Sequence, residues 1–136
     1  MDVKNERDYL GRTAVFVAAQ NGCLGALQVL WEEAGANLET PDNRRATPLH
    51  IAAYNGHLDV VEYLLNEGVE MDVVDDNDNS PISLAAQQGH FRVVGLLIER
   101  GASWNFQLPD GRTILHILAE NNEADILYQI LNPIIE

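Results

Sequence analysis

The chain has 136 residues, 46% of them hydrophobic, enough for one modest folded unit and too many for a disordered one. Eight Lys and Arg against 21 Asp and Glu leave a net charge of -13, which repels phosphate backbones and anionic lipid and makes nucleic acid and membrane surfaces poor partners. The opening MDVKNERDYLG lacks the apolar stretch of a secretory signal, no apolar run approaches a membrane span, and a lone Cys23 allows no intrachain disulfide, so a reducing intracellular compartment, cytoplasm or nucleus, is expected.

Taken in chain order, the sequence falls into four similar units: residues 8–40, 42–74, 75–107 and 108–136. Their hydroxyl residues Thr13, Thr47, Ser80 and Thr113 are spaced by 34, 33 and 33, and Gly35, Gly68 and Gly101 are each 33 apart. The first unit carries one extra residue near Trp31-Glu32-Glu33-Ala34. The second unit is the clearest. Thr47 is a good N-cap, Pro48 stands at the first helical position where its missing N–H costs nothing, and Asn55-Gly56 ends the helix after about two turns. A second helix follows, with Val60, Val61, Leu64 and Leu65 on one face, and Gly68 ends it. Helices this short are marginal alone in water, so each pair must bury its apolar face on the next.

Thr47-Pro48-Leu49-His50-Ile51-Ala52-Ala53, followed by Gly56-His57, Val60-Val61, Leu64-Leu65 and Gly68, resembles the ankyrin repeat family over about Asp8 to Leu131. The resemblance implies an all-α ankyrin repeat solenoid, one domain over residues 1–136, with stacked helix-turn-helix units joined by β-turn or hairpin loops. It also implies a structural role for His50 and His116, and for His57 and His90, which hydrogen-bond within and between repeats in that family.

Residues that invite other chemistry fit it poorly. The histidines lie about a repeat or more apart, without the i, i+4 spacing of helical zinc sites, and Cys23 stands where other units carry His57 and His90. A calcium loop begun at Asp76 places Asp78 and Ser80 correctly, but Pro81 then replaces the sixth-position Gly and Gln87 the twelfth-position Glu. No phosphate loop, G-x-S-x-G or H-E-x-x-H occurs. No cofactor, metal or catalytic residue is expected. The favoured function is a non-catalytic scaffold binding a protein. The alternatives are an enzyme with an unrecognised site, or a regulatory domain of a larger protein.

By the resemblance, a partner lies along a concave face made of turn tips and first-helix ends. The turn positions are Tyr9, Leu10 and Arg12; Asn43, Arg44 and Ala46; Asp76, Asn77 and Asn79; and Pro109, Asp110 and Arg112. The first-helix positions are Gln20 and Asn21, Tyr54 and Asn55, Gln87 and Gln88, and Glu120 and Asn121, with Tyr54 as the one aromatic anchor. The tips read as basic in the first two units, through Arg12, Arg44 and Arg45, and acidic in the third, through Asp75, Asp76 and Asp78. A partner lying along the stack would meet this charge change, so a protein segment with complementary patches is expected, neutral or basic overall because of the net charge of -13.

Some positions depart from the pattern. Arg45 and Asp78 replace the turn glycine seen at Gly11 and Gly111, so an altered turn is expected before Thr47. Val15, Phe16, Leu27, Leu30 and Trp31 in the first unit are as apolar as in an internal repeat, as are Ile126, Leu127, Ile130 and Leu131 before the final Ile134-Ile135-Glu136. Terminal repeats need polar outer faces. The chain is thus expected to be a piece of a longer protein or to pack on another copy or domain at one end, and otherwise to be monomeric and elongated.

Overall fold

The computed structural model describes residues 3–135. After a single 3-10 turn at Val3–Asn5, the chain makes four helix pairs: α1 (Ala14–Gln20) with α2 (Leu24–Gln28), α3 (Pro48–Tyr54) with α4 (Leu58–Asn66), α5 (Pro81–Gln87) with α6 (Phe91–Glu99), and α7 (Ile114–Glu120) with α8 (Ala124–Ile135). Among the described residues there is no strand beyond an isolated antiparallel bridge between Gln107 and Thr113. Each first helix is seven residues long and starts at the expected hydroxyl. The oxygens of Thr13, Thr47 and Ser80 accept the N–H groups of Phe16, His50 and Ser83, as N-caps do.

The first helices stack in one row, α1 on α3 on α5 on α7, and α4 packs on α6 in a second. A continuous apolar core runs between the rows, from Val15 and Leu27 through Leu49, Leu64 and Ile82 to Leu118 and Ile130. The extra residue of the first repeat is absorbed without a break. After Gln28 the helix widens into a π turn over Val29–Glu33, in which Ala34 N–H reaches back five residues to the carbonyl of Val29.

Four turns repeat one geometry. The N–H of Asp8, Asp42, Asp75 and Leu108 donates to the carbonyl four residues on, and the N–H three residues on returns to the starting carbonyl. That returning residue is left-handed in every case: Gly11 (φ 82), Arg45 (φ 65), Asp78 (φ 61) and Gly111 (φ 89). The altered turn expected before Thr47 is therefore not formed. The left-handed conformation costs a side-chain-bearing residue roughly 1–2 kcal/mol. Asp42 offsets that cost, because its Oδ1 accepts the N–H groups of both Arg44 and Ala46 at 2.9 Å.

Successive turns are also stitched together. Asn43 N–H donates to Leu10 C=O and Asp76 N–H to Arg44 C=O, both at 3.0 Å. The next donor in this series falls at residue 109, which is proline and has no N–H. A second link fails at the same junction. His50, wholly buried, accepts Thr47 N–H at Nδ1 (3.0 Å), so its proton sits on Nε2 and donates to the carbonyl of Asn79 in the third repeat (2.8 Å). Phe16 and Ser83 stand at the equivalent places of the first and third repeats and make no such bridge.

Two expectations follow. In native-state hydrogen exchange, the amides of α7 should be less protected than those of α3, which is held on both sides; equal protection would show that the missing bonds at Pro109 and Ser83 do not matter. The other concerns pH. Burial lowers the pKa of His50 from its ordinary 6.5, against smaller upward pulls from the Asn79 carbonyl and the Asp75 and Asp42 charges. A folded pKa below the unfolded one leaves this contribution intact above pH 6.5 and erodes it as pH falls, because the unfolded chain then binds a proton that the folded chain refuses. Stability by urea unfolding should fall by at most ~1.4 kcal/mol per pH unit on acidification from about pH 7.5 to about pH 5.5, and the His50→Gln variant should lose that slope.

Candidate interaction groove

The side of the stack made by turns and first helices carries a groove of about 390 Å³ across the second and third repeats. Phe16, Ile51 and Leu84 give it an apolar floor, and Tyr54, 41% exposed, stands at its wall. Arg44, Ala46, Asn77, Asn79, Gln87 and Gln88 also line it. Seven of the residues expected from sequence to face a partner thus lie in one place, Tyr54 and these six.

Asp76 stands outside the groove, exposed and 3.9 Å from Arg45.

The remaining expected residues lie elsewhere. Tyr9, 87% exposed, and Leu10 project from the first turn, and Asn21 is exposed at the end of α1. Asn43 donates to the Tyr9 carbonyl, and Asn55 to the carbonyls of Gln20 and Ile51, so both amides hold the stack together. In the fourth repeat, Asn121 donates to Ile117 C=O. Pro109 lines a separate cavity with Val74 and Phe106.

The basic and acidic tips also need correction. Arg12 is half-buried: its Nε pairs with Asp8 Oδ2 at 2.9 Å and its Nη1 donates to Gln20 Oε1 at 3.0 Å. Asp75 is only 9% exposed, with Oδ1 accepting the N–H groups of Asn77 and Asn79. Neither charge is a free tip, and Arg44 and Arg45 remain as the exposed cations. Arg112 sits as Arg12 does, with Nε on Asp110 Oδ2 and Nη1 on Glu120 Oε2, both at 2.8 Å. Hydrogen bonds from the backbone N–H and guanidinium of Arg12 hold the Asp8 carboxyl below the ordinary range, and those of Arg112 do the same for Asp110.

Sequence reasoning missed Phe16, Asp42, His50, Ile51, Asp75 and Leu84 as groove residues. The signal for the carboxylates was present: Asp8, Asp42 and Asp75 occupy one repeat position, and the residue four places on changes from Arg12 to Ala46 to Asn79. The apolar residues expected at the two end faces are turned inward. Val15, Phe16, Leu27, Ile126 and Ile130 are buried, and Leu30, Trp31, Leu127 and Leu131 pack against the core. Val29 and Tyr128 are exposed instead. Glu136 and the side chains of Ile134 and Ile135 lie outside the described residues.

Among the described residues, no three His, Cys, Asp or Glu side chains converge as metal ligands, and no helix is long and apolar enough to cross a membrane. The family model described as ankyrin repeats (3 copies) matches residues 1–75 and 64–135. The chain is 44% identical over 54 residues to ankyrin repeat domain-containing protein 49 of Bos taurus, covering 40% of this chain and 23% of that protein. It is 36% identical over 66 residues to the ankyrin repeat and KH domain-containing protein mask-1 of Caenorhabditis elegans, covering 48% of this chain and 2% of that one. Alpha-latrocrustotoxin-Lt1a of Latrodectus tredecimguttatus is 36% identical over 62 residues, covering 46% of this chain and 4% of the toxin. The matched part therefore spans less than a quarter of each of these relatives. Four capped helix pairs on a 33-residue period, together with a family match over almost the whole chain, place the protein in the ankyrin repeat family.

Proposed function

We propose that this chain is a non-catalytic interaction domain that holds a segment of another protein against its turn-and-first-helix side, with Tyr54 as the anchor, inside the cell. Ankyrin repeats are in general protein–protein interaction modules. The observation that carries the finer reading is the groove at Tyr54. There an exposed aromatic ring stands over an apolar floor, while the polar groups around it are largely tied to the fold. An aromatic side chain at the centre of a contact supplies much of the affinity, whereas charges at its rim mainly set on-rate and register. The net charge of -13 favours a neutral or basic segment over an acidic one.

Affinity capture from the source cell supplies the partner, and titration calorimetry then measures it against variants. Tyr54→Ala should weaken binding by about 1–3 kcal/mol. Glu62→Ala, on the exposed side of α4, should change little. If Tyr54→Ala binds normally and Glu62→Ala does not, the second helices are the binding side. A separate expectation concerns rates. Asp76 is exposed and its contact with Arg45 is long, so Asp76→Lys should leave the turn intact, slow association and flatten its salt dependence. Stopped-flow rates that keep the parent's salt slope would exclude a role for this charge in steering.

A further inference from the structure

The four repeats treat one pair of positions in different ways. The residue before each N-cap and the last residue of the first helix are eight apart: Arg12 and Gln20, Ala46 and Tyr54, Asn79 and Gln87, Arg112 and Glu120. In three repeats a side-chain hydrogen bond joins them, Arg12 to Gln20, Gln87 to Asn79 and Arg112 to Glu120. In the first and fourth the joining group is a guanidinium that also pairs with a turn carboxylate, Asp8 or Asp110. In the second repeat Ala46 has no polar side chain to offer. Asp42 keeps Oδ1 on the backbone of Arg44 and Ala46, as Asp8 does on Leu10 and Arg12, but among the described residues no side chain donates to its Oδ2. Asp42, Ala46 and Tyr54 all line the groove, with the carboxylate of Asp75 beside them.

We infer that this place in the second repeat takes an arginine side chain from the partner polypeptide, its guanidinium on the outer oxygen of Asp42 and its plane against the ring of Tyr54. The inference rests on the proposed docking side and names what is recognised there. The chain's own Arg12 and Arg112 show which group fits between a turn carboxylate and a helix end in this fold. The aromatic ring adds what Gln20 and Glu120 do not, a face on which a planar cation can stack. Lysine fits less well, because one compact ammonium cannot both pair with the carboxylate in a fork and lie flat on the ring. Arg44, exposed at the same groove, is the chain's own competitor for Asp42.

The test is a two-dimensional NMR titration of the full chain with N-acetyl-arginine amide, and with its lysine and neutral citrulline counterparts. Arginine should shift signals of Asp42, Tyr54 and Gln87 and bind on the order of tenfold more tightly than citrulline, with lysine between them. Asp42→Asn keeps the Oδ1 acceptor that forms the turn and should abolish the preference for arginine over citrulline. Ala46→Arg should fill the place with the chain's own guanidinium, as at Arg12, and block the probe, while Arg44→Ala should bind it as well or better. Equal responses to arginine and citrulline or to arginine and lysine, shifts scattered over the acidic surface, probe binding that survives Ala46→Arg, or binding lost in Arg44→Ala would each overturn the inference. If the probe ignores the groove while Tyr54→Ala still weakens the captured partner, the arginine reading falls and the docking side stands. If Glu62→Ala and not Tyr54→Ala weakens the partner, both fall.

Discussion

A helix of seven residues leaves more backbone groups open at its ends than it satisfies within, since the first four N–H and last four C=O groups have no partner inside the helix. Four such helices lie side by side here, and the way their ends are satisfied determines how the repeats are joined. At the N-terminal ends a hydroxyl of the same repeat supplies the acceptor. At the C-terminal end of α1 the donors come from the next repeat: the Gln20 carbonyl receives Asn55 Nδ2 at 3.3 Å and His57 Nε2 at 3.0 Å. The same contacts that complete a helix therefore fix its neighbour's position. Apolar burial supplies the driving force, and these bonds supply the register.

The joints are not equivalent, and single residues decide the difference. His50 reaches forward to Asn79 because a neutral imidazole can accept at one nitrogen and donate at the other. Phe16 and Ser83, at the same repeat position, can contribute packing or a local hydrogen bond but not that span. The turn seam has a similar logic. It runs from the first turn to the third through backbone donors at Asn43 and Asp76, and ends where Pro109 has none to give. The middle of the stack is bound on both flanks, while its last repeat depends more on side-chain packing.

Much of this architecture could be read from spacing and residue type. The caps at Thr13, Thr47 and Ser80, the ends at Asn55-Gly56 and the apolar face of α4 all sit where local chemistry puts them. The extra residue near Trp31 was visible as a count, but not as a π turn, because a sequence shows an insertion without showing which hydrogen bonds stretch to take it. Arg45 was misjudged because a local conformational penalty was weighed without the bonds from Asp42 that oppose it. The groove was legible only in part. Alignment assigns positions to a face, but it cannot show that Arg12, Asn43 and Asn55 are already occupied by other parts of the same fold. Asp42 was overlooked for the opposite reason: it shares its position with Asp8 and Asp75, and only the change four residues on to Ala46, with no polar side chain, sets it apart.

A perfectly regular stack would offer the same small surface again at each period and could not hold one segment in one register. Recognition in such a fold must come from places where a repeat breaks its own rule. Arg12 and Arg112 use their charge internally, which leaves the first and fourth repeats with little unpaired at this position. The third closes it with amides, through Asn79, Ser83 and Gln87. The second replaces the bridging residue with Ala46 and the helix-end polar residue with Tyr54, two changes at contacting ends of one motif that open space and add an aromatic wall together. Neither change improves the repeat as a stacking unit. Their pairing at one level of the stack, beside a turn carboxylate whose outer oxygen takes no side-chain donor among the described residues, is what makes this level chemically distinct from the other three.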